Sequence, residues 1–228
     1  MVSKIKGWGS MLLLLALVMV PSHALPDSNA AQPAVSQDLD TLLARIEKRY
    51  GGAQFTADFF QESTLKAMNI TDNARGHLYV KHPRQMRWEY TEPEPQIIVS
   101  DGQELWIYRP EDKQVLVGKA PEFFANGKGA GFLSDIKQLR KGFIISPLAS
   151  SDPSVVMLKL VPRKKTVDLT EIRLGIDKDN LDIQQIITLN AYGDETRIQI
   201  SNLRFHKHLD ESLFQFSVPA DAEVLQLE

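Results

Sequence analysis

From Phe55 to Gly118 the chain alternates apolar and polar residues in short stretches, each closed by residues that favour a reversal. Phe55, Ala57 and Phe59 alternate with Thr56 and Asp58, and Gln61 continues their row. Met86, Trp88 and Tyr90 alternate with Arg87 and Glu89. A period of two places each set on one face of a strand. Strands are expected at 74–81, 85–91, 96–100, 104–109 and 114–118. Turns are expected at Asp72-Asn73, His82-Pro83-Arg84, Asp101-Gly102 and Pro110-Glu111-Asp112. Proline presets φ, glycine reaches positive φ, and Asn and Asp bond their own backbone, so each turn has a physical cause. Strands at a spacing of about ten residues with such short connections restrict this region to an antiparallel meander.

The pattern breaks between Pro121 and Leu139, where Phe123-Phe124 and the run Gly127-Lys128-Gly129-Ala130-Gly131 precede a helix expected at 132–141. Glycines flanked by Phe123, Phe124 and Phe132 read as a mobile apolar flap rather than a phosphate cradle, because no strand clearly precedes them. Strands resume at 142–146, 155–162, 171–177, 183–190 and 196–204, and 213–219 reads as a last edge strand. The total is about eleven strands with two or three helices, a mainly β chain of the α+β kind. Ser36 or Asp38 can cap a helix running to Tyr50, with Leu39, Leu42, Leu43 and Ile46 on one face and Gly51-Gly52 as its stop. No internal repeat is evident.

Lys4 and Lys6 precede the unbroken apolar run 11–20, then Pro21 and the small-residue site Ser22-His23-Ala24. This is the pattern of a secretory signal peptide, too short to span a membrane, with cleavage expected near Ala24. The domain organisation expected is a signal peptide at 1–24, a flexible leader at 25–36 and a single domain at 37–228. The chain has no cysteine, so no disulfide framework supports it after export and no thiol is present to carry a lipid. A net charge of -3 argues against nucleic acid as a partner.

No enzyme signature stands out. The nucleophile elbow, the zinc-protease helix and the phosphate loop are all missing, and absent cysteine excludes thiol chemistry. His206 and His208 would share a strand face, but two ligands make a poor metal site. Asp58 with Glu62, and Glu92 with Glu94, sit among turn or solvent-face residues and read as surface charge. No catalytic residue, metal or cofactor is therefore expected. The aromatics are more informative. One long helix and a short one cannot cover the inner face of about eleven strands, so the sheet either leaves an apolar concavity or closes on a fully packed core.

The helix followed by Phe55-x-Ala57-x-Phe59-x-Gln61 resembles the start of the LolA-type outer-membrane lipoprotein carriers. So do Gly76-x-Leu78-x-Val80-Lys81-x-Pro83, Trp88-x-Tyr90, and Val99-Ser100-Asp101-Gly102-x-x-Leu105-Trp106-x-Tyr108-x-Pro110 with Gln114-Val115. The ending Phe214-x-Phe216-x-Val218-Pro219 fits as well. The resemblance implies an open half-barrel of antiparallel strands whose helices form a lid over an apolar cavity. It implies a periplasmic, monomeric chaperone without cofactor. Such a carrier takes acylated lipoproteins from an inner-membrane ABC complex and passes them to an outer-membrane lipoprotein receptor. The receptor has the same fold but is itself lipidated, so the missing cysteine favours the carrier. Cavity candidates are Phe59, Leu78, Val80, Met86, Trp88, Tyr90 and Trp106. Lid and latch candidates are His82, Arg84, Phe123, Phe124 and Phe132. The family commonly has arginine where His82 stands, and that arginine is held to bond lid backbone. A neutral imidazole offers one N–H donor against the five of guanidinium, so Arg84 or Arg87 would have to compensate. Met86 stands where an aromatic is common. A carrier of another lipid or glycolipid, or a sensor of envelope stress or mislocalised lipoproteins, shares the same fold.

Overall fold

The computed structural model describes residues 32–121, 133, 139–164 and 166–227, with side chains from residue 38 onward. Residues 1–31, and with them the expected signal peptide and most of the expected leader, lie outside the described residues. So do Phe123, Phe124, Phe132 and the glycine run.

Helix α1 spans Gln32–Tyr50 and begins ahead of the expected cap at Ser36. Pro33 falls in its first turn, where a missing N–H costs nothing and the fixed φ suits a helix. The helix ends as expected: Gly51 N–H donates to Glu47 O, and Gly52 takes φ 93, a value open to a residue without Cβ.

The described residues then form twelve strands in one sheet: β1 Gln54–Leu65, β2 Ile70–Lys81, β3 Gln85–Glu92, β4 Gln96–Asp101, β5 Glu104–Arg109, β6 Gln114–Lys119, β7 Phe143–Leu148, β8 Val155–Pro162, β9 Glu171–Asp177, β10 Ile183–Leu189, β11 Glu195–His206 and β12 Glu223–Gln226. A short helical turn, Leu139–Gly142, leads into β7. The strand order is β12-β6-β5-β4-β3-β2-β1-β11-β10-β9-β8-β7. Every neighbour is antiparallel except β12 on β6, which is parallel. β7 and β12 are the two edges and do not meet, so the sheet is an open half-barrel, as the resemblance implies.

Two local expectations are corrected. Asp72 and Asn73 lie inside β2, paired with Ser63 and Glu62, and the reversal falls earlier at 66–69. There Asn69 takes φ 53, a conformation asparagine tolerates, and Asp194 accepts from the Lys66 N–H at 2.9 Å. The segment 213–219 is not an edge strand. The Asp210 side chain accepts the Ser212 N–H at 2.9 Å and starts a 3-10 turn, Glu211–Phe214, and the edge strand comes later as β12.

The core lies on the sheet face turned toward α1, here called the inner face. It joins Leu43, Ile46 and Tyr50 of the helix to Phe55, Leu78 and Trp88 of the early strands and to Leu160, Leu174, Ile186 and Ile198 of the late ones. Leu133 and Leu139 belong to the same cluster.

Candidate functional site

The inner ends of β1, β2 and β3 hold most of the expected cavity residues. Register explains the grouping: Ala57 faces Leu78, Leu78 faces Trp88, and Val80 faces Met86. Phe59, Leu78, Val80, Met86 and Trp88 are all buried on this face. Gly76 lies between Phe59 and Tyr90 in the same cross-strand row. With no side chain intervening, the two aromatic rings meet over it at 4.9 Å, nearly edge to face. Phe59 also meets Trp88 at 4.8 Å. The wall is therefore three interlocked rings on a bed of aliphatic side chains, an arrangement that adds specific geometry to apolar area.

Polarity enters only at one end of this wall. Tyr90 Oη donates to Gln61 Oε1 at 3.1 Å, and Gln61 Nε2 donates to Ser63 Oγ at 3.1 Å. Burial pushes the Tyr90 hydroxyl up to about 12. Trp88 Nε1 is buried and has no hydrogen-bond partner. Apart from tyrosine hydroxyls and the indole, the only buried polar side chain among the described residues is Ser100, whose Oγ donates to Arg84 O at 3.0 Å.

The cover over the inner face is attached by polar contacts at its margins. Arg49 pairs with Asp182. Tyr50 Oη donates to Leu181 O at 3.3 Å and accepts from the Ile183 N–H at 2.9 Å. Arg140 donates to Glu47 at 2.7 Å and to the Asp40 carboxylate at 2.7 Å, bridging the turn before β7 to α1.

Trp106 is not part of this wall. Leu105 and Ile107 belong to the inner face, and Trp106 points the other way, stacked on Phe216 with ring centroids 6.2 Å apart. Phe216 also meets Tyr108 at 5.7 Å. Phe214, Val99 and Val115 are fully buried on that outer side, where the 3-10 turn packs on β3 and β4. The C-terminal tail thus acts as a strap across the outer face. The spaced Phe214 and Phe216 were its sequence signal, read as strand alternation.

His82 and Arg84 form the β2–β3 turn. The His82–Pro83 bond is cis, Arg84 takes φ 64, and the His82 N–H donates to Ala53 O at 3.1 Å. The turn is thereby tied to the α1–β1 connection, at the margin of the helical cover. Arg87 bonds Glu89 at 2.5 Å and Leu213 O at 3.5 Å, so it serves the strap on the outer face.

Two concavities open on the outer face. One, of about 1070 Å³, lies across β1 and β8–β11 and is lined by Phe60, Arg75, Met157, Arg173, Gln185 and Gln199 among others. The other, of about 240 Å³, holds Asp58, whose oxygens take His77 Nδ1 at 2.6 Å and Asn202 Nδ2 at 2.6 Å. Those two bonds, Asn202 first, hold the Asp58 carboxyl below the usual range. Asn202 takes φ 53 at an irregularity between β1 and β11, which aims its amide at Asp58. Sequence reasoning saw Asp58 only as a solvent-face residue. Its partners lie 19 and 144 residues away, beyond any local pattern. Glu92 pairs with Arg75, and His206 with Thr56, each an exposed surface contact. Among the described residues no cluster of three metal-ligating side chains occurs.

The fold and this face define a class of proteins: open antiparallel half-barrels whose aromatic inner wall lies under a helical cover. Residues 52–217 match the family described as outer membrane lipoprotein carrier protein LolA, and the chain belongs to that family. It is similar to the outer-membrane lipoprotein carrier protein of Chromobacterium violaceum, at 30% identity over 86% of this chain and 90% of that protein. It is also similar to the protein of the same name from Methylobacillus flagellatus, at 29% identity over 74% of this chain and 80% of that one. An uncharacterized conserved protein from Thermus thermophilus shares the fold. It superposes with a TM-score of 0.54 at 16% identity, covering 84% of this chain and 100% of its own.

Proposed function

We propose that this protein is a periplasmic carrier that takes the acyl chains of lipoproteins against its inner face and delivers them to an outer-membrane receptor. An inner-membrane ABC complex would supply the cargo. The observation that carries the reading is the aromatic wall of Phe59, Trp88 and Tyr90 beneath a cover held at its margins by side-chain contacts. A lipoprotein cannot cross water with its chains exposed, since each methylene withdrawn from water is worth about 0.8 kcal/mol. Burying them takes an extended apolar surface, and releasing them takes a surface that can be uncovered at small cost. Partly exposed ion pairs such as Arg140 with Asp40 contribute only about 0–1 kcal/mol each. At its exposed margin the cover is thus held by weak ion pairs, while the buried Tyr50 hydroxyl ties it to Leu181 and Ile183. The names and family of its relatives support lipoprotein cargo and a binding role.

The test is to export the full chain, purify it from the periplasm and identify co-purifying material by mass spectrometry. Triacylated lipoproteins are the expected cargo. Recovery of a free glycolipid instead, with no lipoprotein, overturns the reading.

A further inference from the structure

The indole N–H of Trp88 is a donor buried without a partner in a wall that is otherwise apolar. An indole offers one N–H and no acceptor, and a buried donor left unpaired costs free energy that native proteins rarely leave uncompensated. We propose that Trp88 Nε1 is the donor to an ester carbonyl oxygen of the bound acyl glycerol. The site thus reads the ester linkage and not only the hydrocarbon. This rests on the carrier reading above.

Three features support an ester over other acceptors. Apart from the tyrosine hydroxyls and the indole itself, Ser100, bonded to Arg84 O, is the only buried polar side chain among the described residues, and none of those residues is a buried charge. A carboxylate or phosphate brought to Trp88 would have to shed its water with no buried cation among the described residues to meet it, at a cost far above that of a neutral carbonyl. The neighbouring polar groups are already satisfied in one direction. Tyr90 donates to Gln61 and Gln61 donates to Ser63, whose Oγ lies 3.5 Å from Thr196 Oγ1. This relay runs along β1 from the buried wall to its exposed end at Leu65, a gradient suited to a glycerol backbone lying outward of its acyl chains. Trp88 is therefore placed at the boundary between tail and linkage, with Phe59 against its ring.

The experiment compares two probes of equal chain length, dipalmitoylglycerol with ester linkages and dihexadecylglycerol with ethers, each displacing a fluorescent fatty-acyl reporter from the full protein. An ether oxygen is the poorer acceptor. The wild type should bind the ester about five- to tenfold more tightly, the value of one net hydrogen bond. Trp88→Phe should bind both alike, so that the ester-to-ether affinity ratio falls to about one whatever the variant's absolute affinity. Equal binding of ester and ether by the wild type overturns the proposal while leaving the carrier reading intact. Failure of both lipids to bind overturns the carrier reading and this one with it. Should Trp88→Phe not fold, ¹⁵N NMR of the wild-type indoles decides. The Trp88 Nε1–H resonance should move downfield with the ester and not with the ether. Trp106, on the outer face against Phe216, serves as the internal control. An unmoved Trp88 resonance in the presence of bound ester overturns the proposal.

Discussion

Two tyrosines decide how the fold responds to base. Tyr50 is sealed between α1, Phe55 and Phe205, with ring centroids 5.6 and 5.5 Å away, and burial first of all pushes its hydroxyl up to about 12. Tyr90 is raised to about 12 by burial as well. Unfolded, both return to the ordinary value near 10. Their contribution is fully present below pH 10. It is lost as pH rises from about 10 toward about 12, because the unfolded chain releases protons that the folded chain keeps. Across that window the loss should reach roughly 2–3 kcal/mol per tyrosine. Melting temperature measured as a function of pH should therefore fall more steeply above pH 10 in the wild type than in a Tyr50→Phe, Tyr90→Phe double variant. Parallel curves would remove the tyrosines from the account. Tyr90 was readable in advance, since it shares a two-residue period with Trp88. Tyr50 was not, because its hydroxyl bonds the backbone of Leu181 and Ile183, and no helical periodicity announces a partner 131 residues away.

At the level of the element, legibility depended on whether the two faces of a strand differ. In β3 they do: Met86, Trp88 and Tyr90 alternate with Arg87 and Glu89, and the apolar set lies on the inner face. In β5 they do not, since Leu105, Trp106, Ile107 and Tyr108 are apolar on both sides. Alternation alone then gives two sets without saying which is inner, and Trp106 lies in the outer one, against Phe216. The strap supplies the reason that both faces are greasy. β2 illustrates a different limit. A glycine inside a strand ordinarily weakens it, yet at Gly76 a Cβ would fall 1.8 Å from Glu89 O, at an irregularity in the β2–β3 register. Gly76→Ala should push the two strands apart and separate Phe59 from Tyr90, costing about 3 kcal/mol or more. Chemical denaturation should show the loss, and the tyrosine near-ultraviolet signal should weaken with it. A variant as stable as wild type would mean that the strands pair more loosely than the structure shows.

Over the whole molecule, one sheet is covered in two ways and left open in a third region. Its inner face lies under α1, its outer face over β3–β6 lies under the strap, and its outer face over β1 and β8–β11 is left as a concavity. The antiparallel meander of β2–β6 followed from turn chemistry and period two, and the open half-barrel from the family resemblance. The strap did not, because its hold is tertiary: Phe214 is fully buried although only a four-residue 3-10 turn carries it. The strap and β12 should therefore differ sharply in importance. Every residue of β12 is exposed, and its four pairs with β6 are main-chain contacts at an edge. Ending the chain after Ala220 should leave a folded monomer that melts a few degrees lower at most, as expected for the loss of about 1 kcal/mol. Ending it after Lys207 should uncover Val99, Trp106, Tyr108 and Val115 together. A contiguous apolar patch of that kind drives association, so the shorter chain should elute as oligomers or precipitate while the longer one stays monomeric. The two truncations separate the strap from the edge strand, because they differ in the segment that holds Phe214 and Phe216. Identical behaviour of the two chains in size-exclusion chromatography would show that the outer face of β3–β6 is stable without its cover.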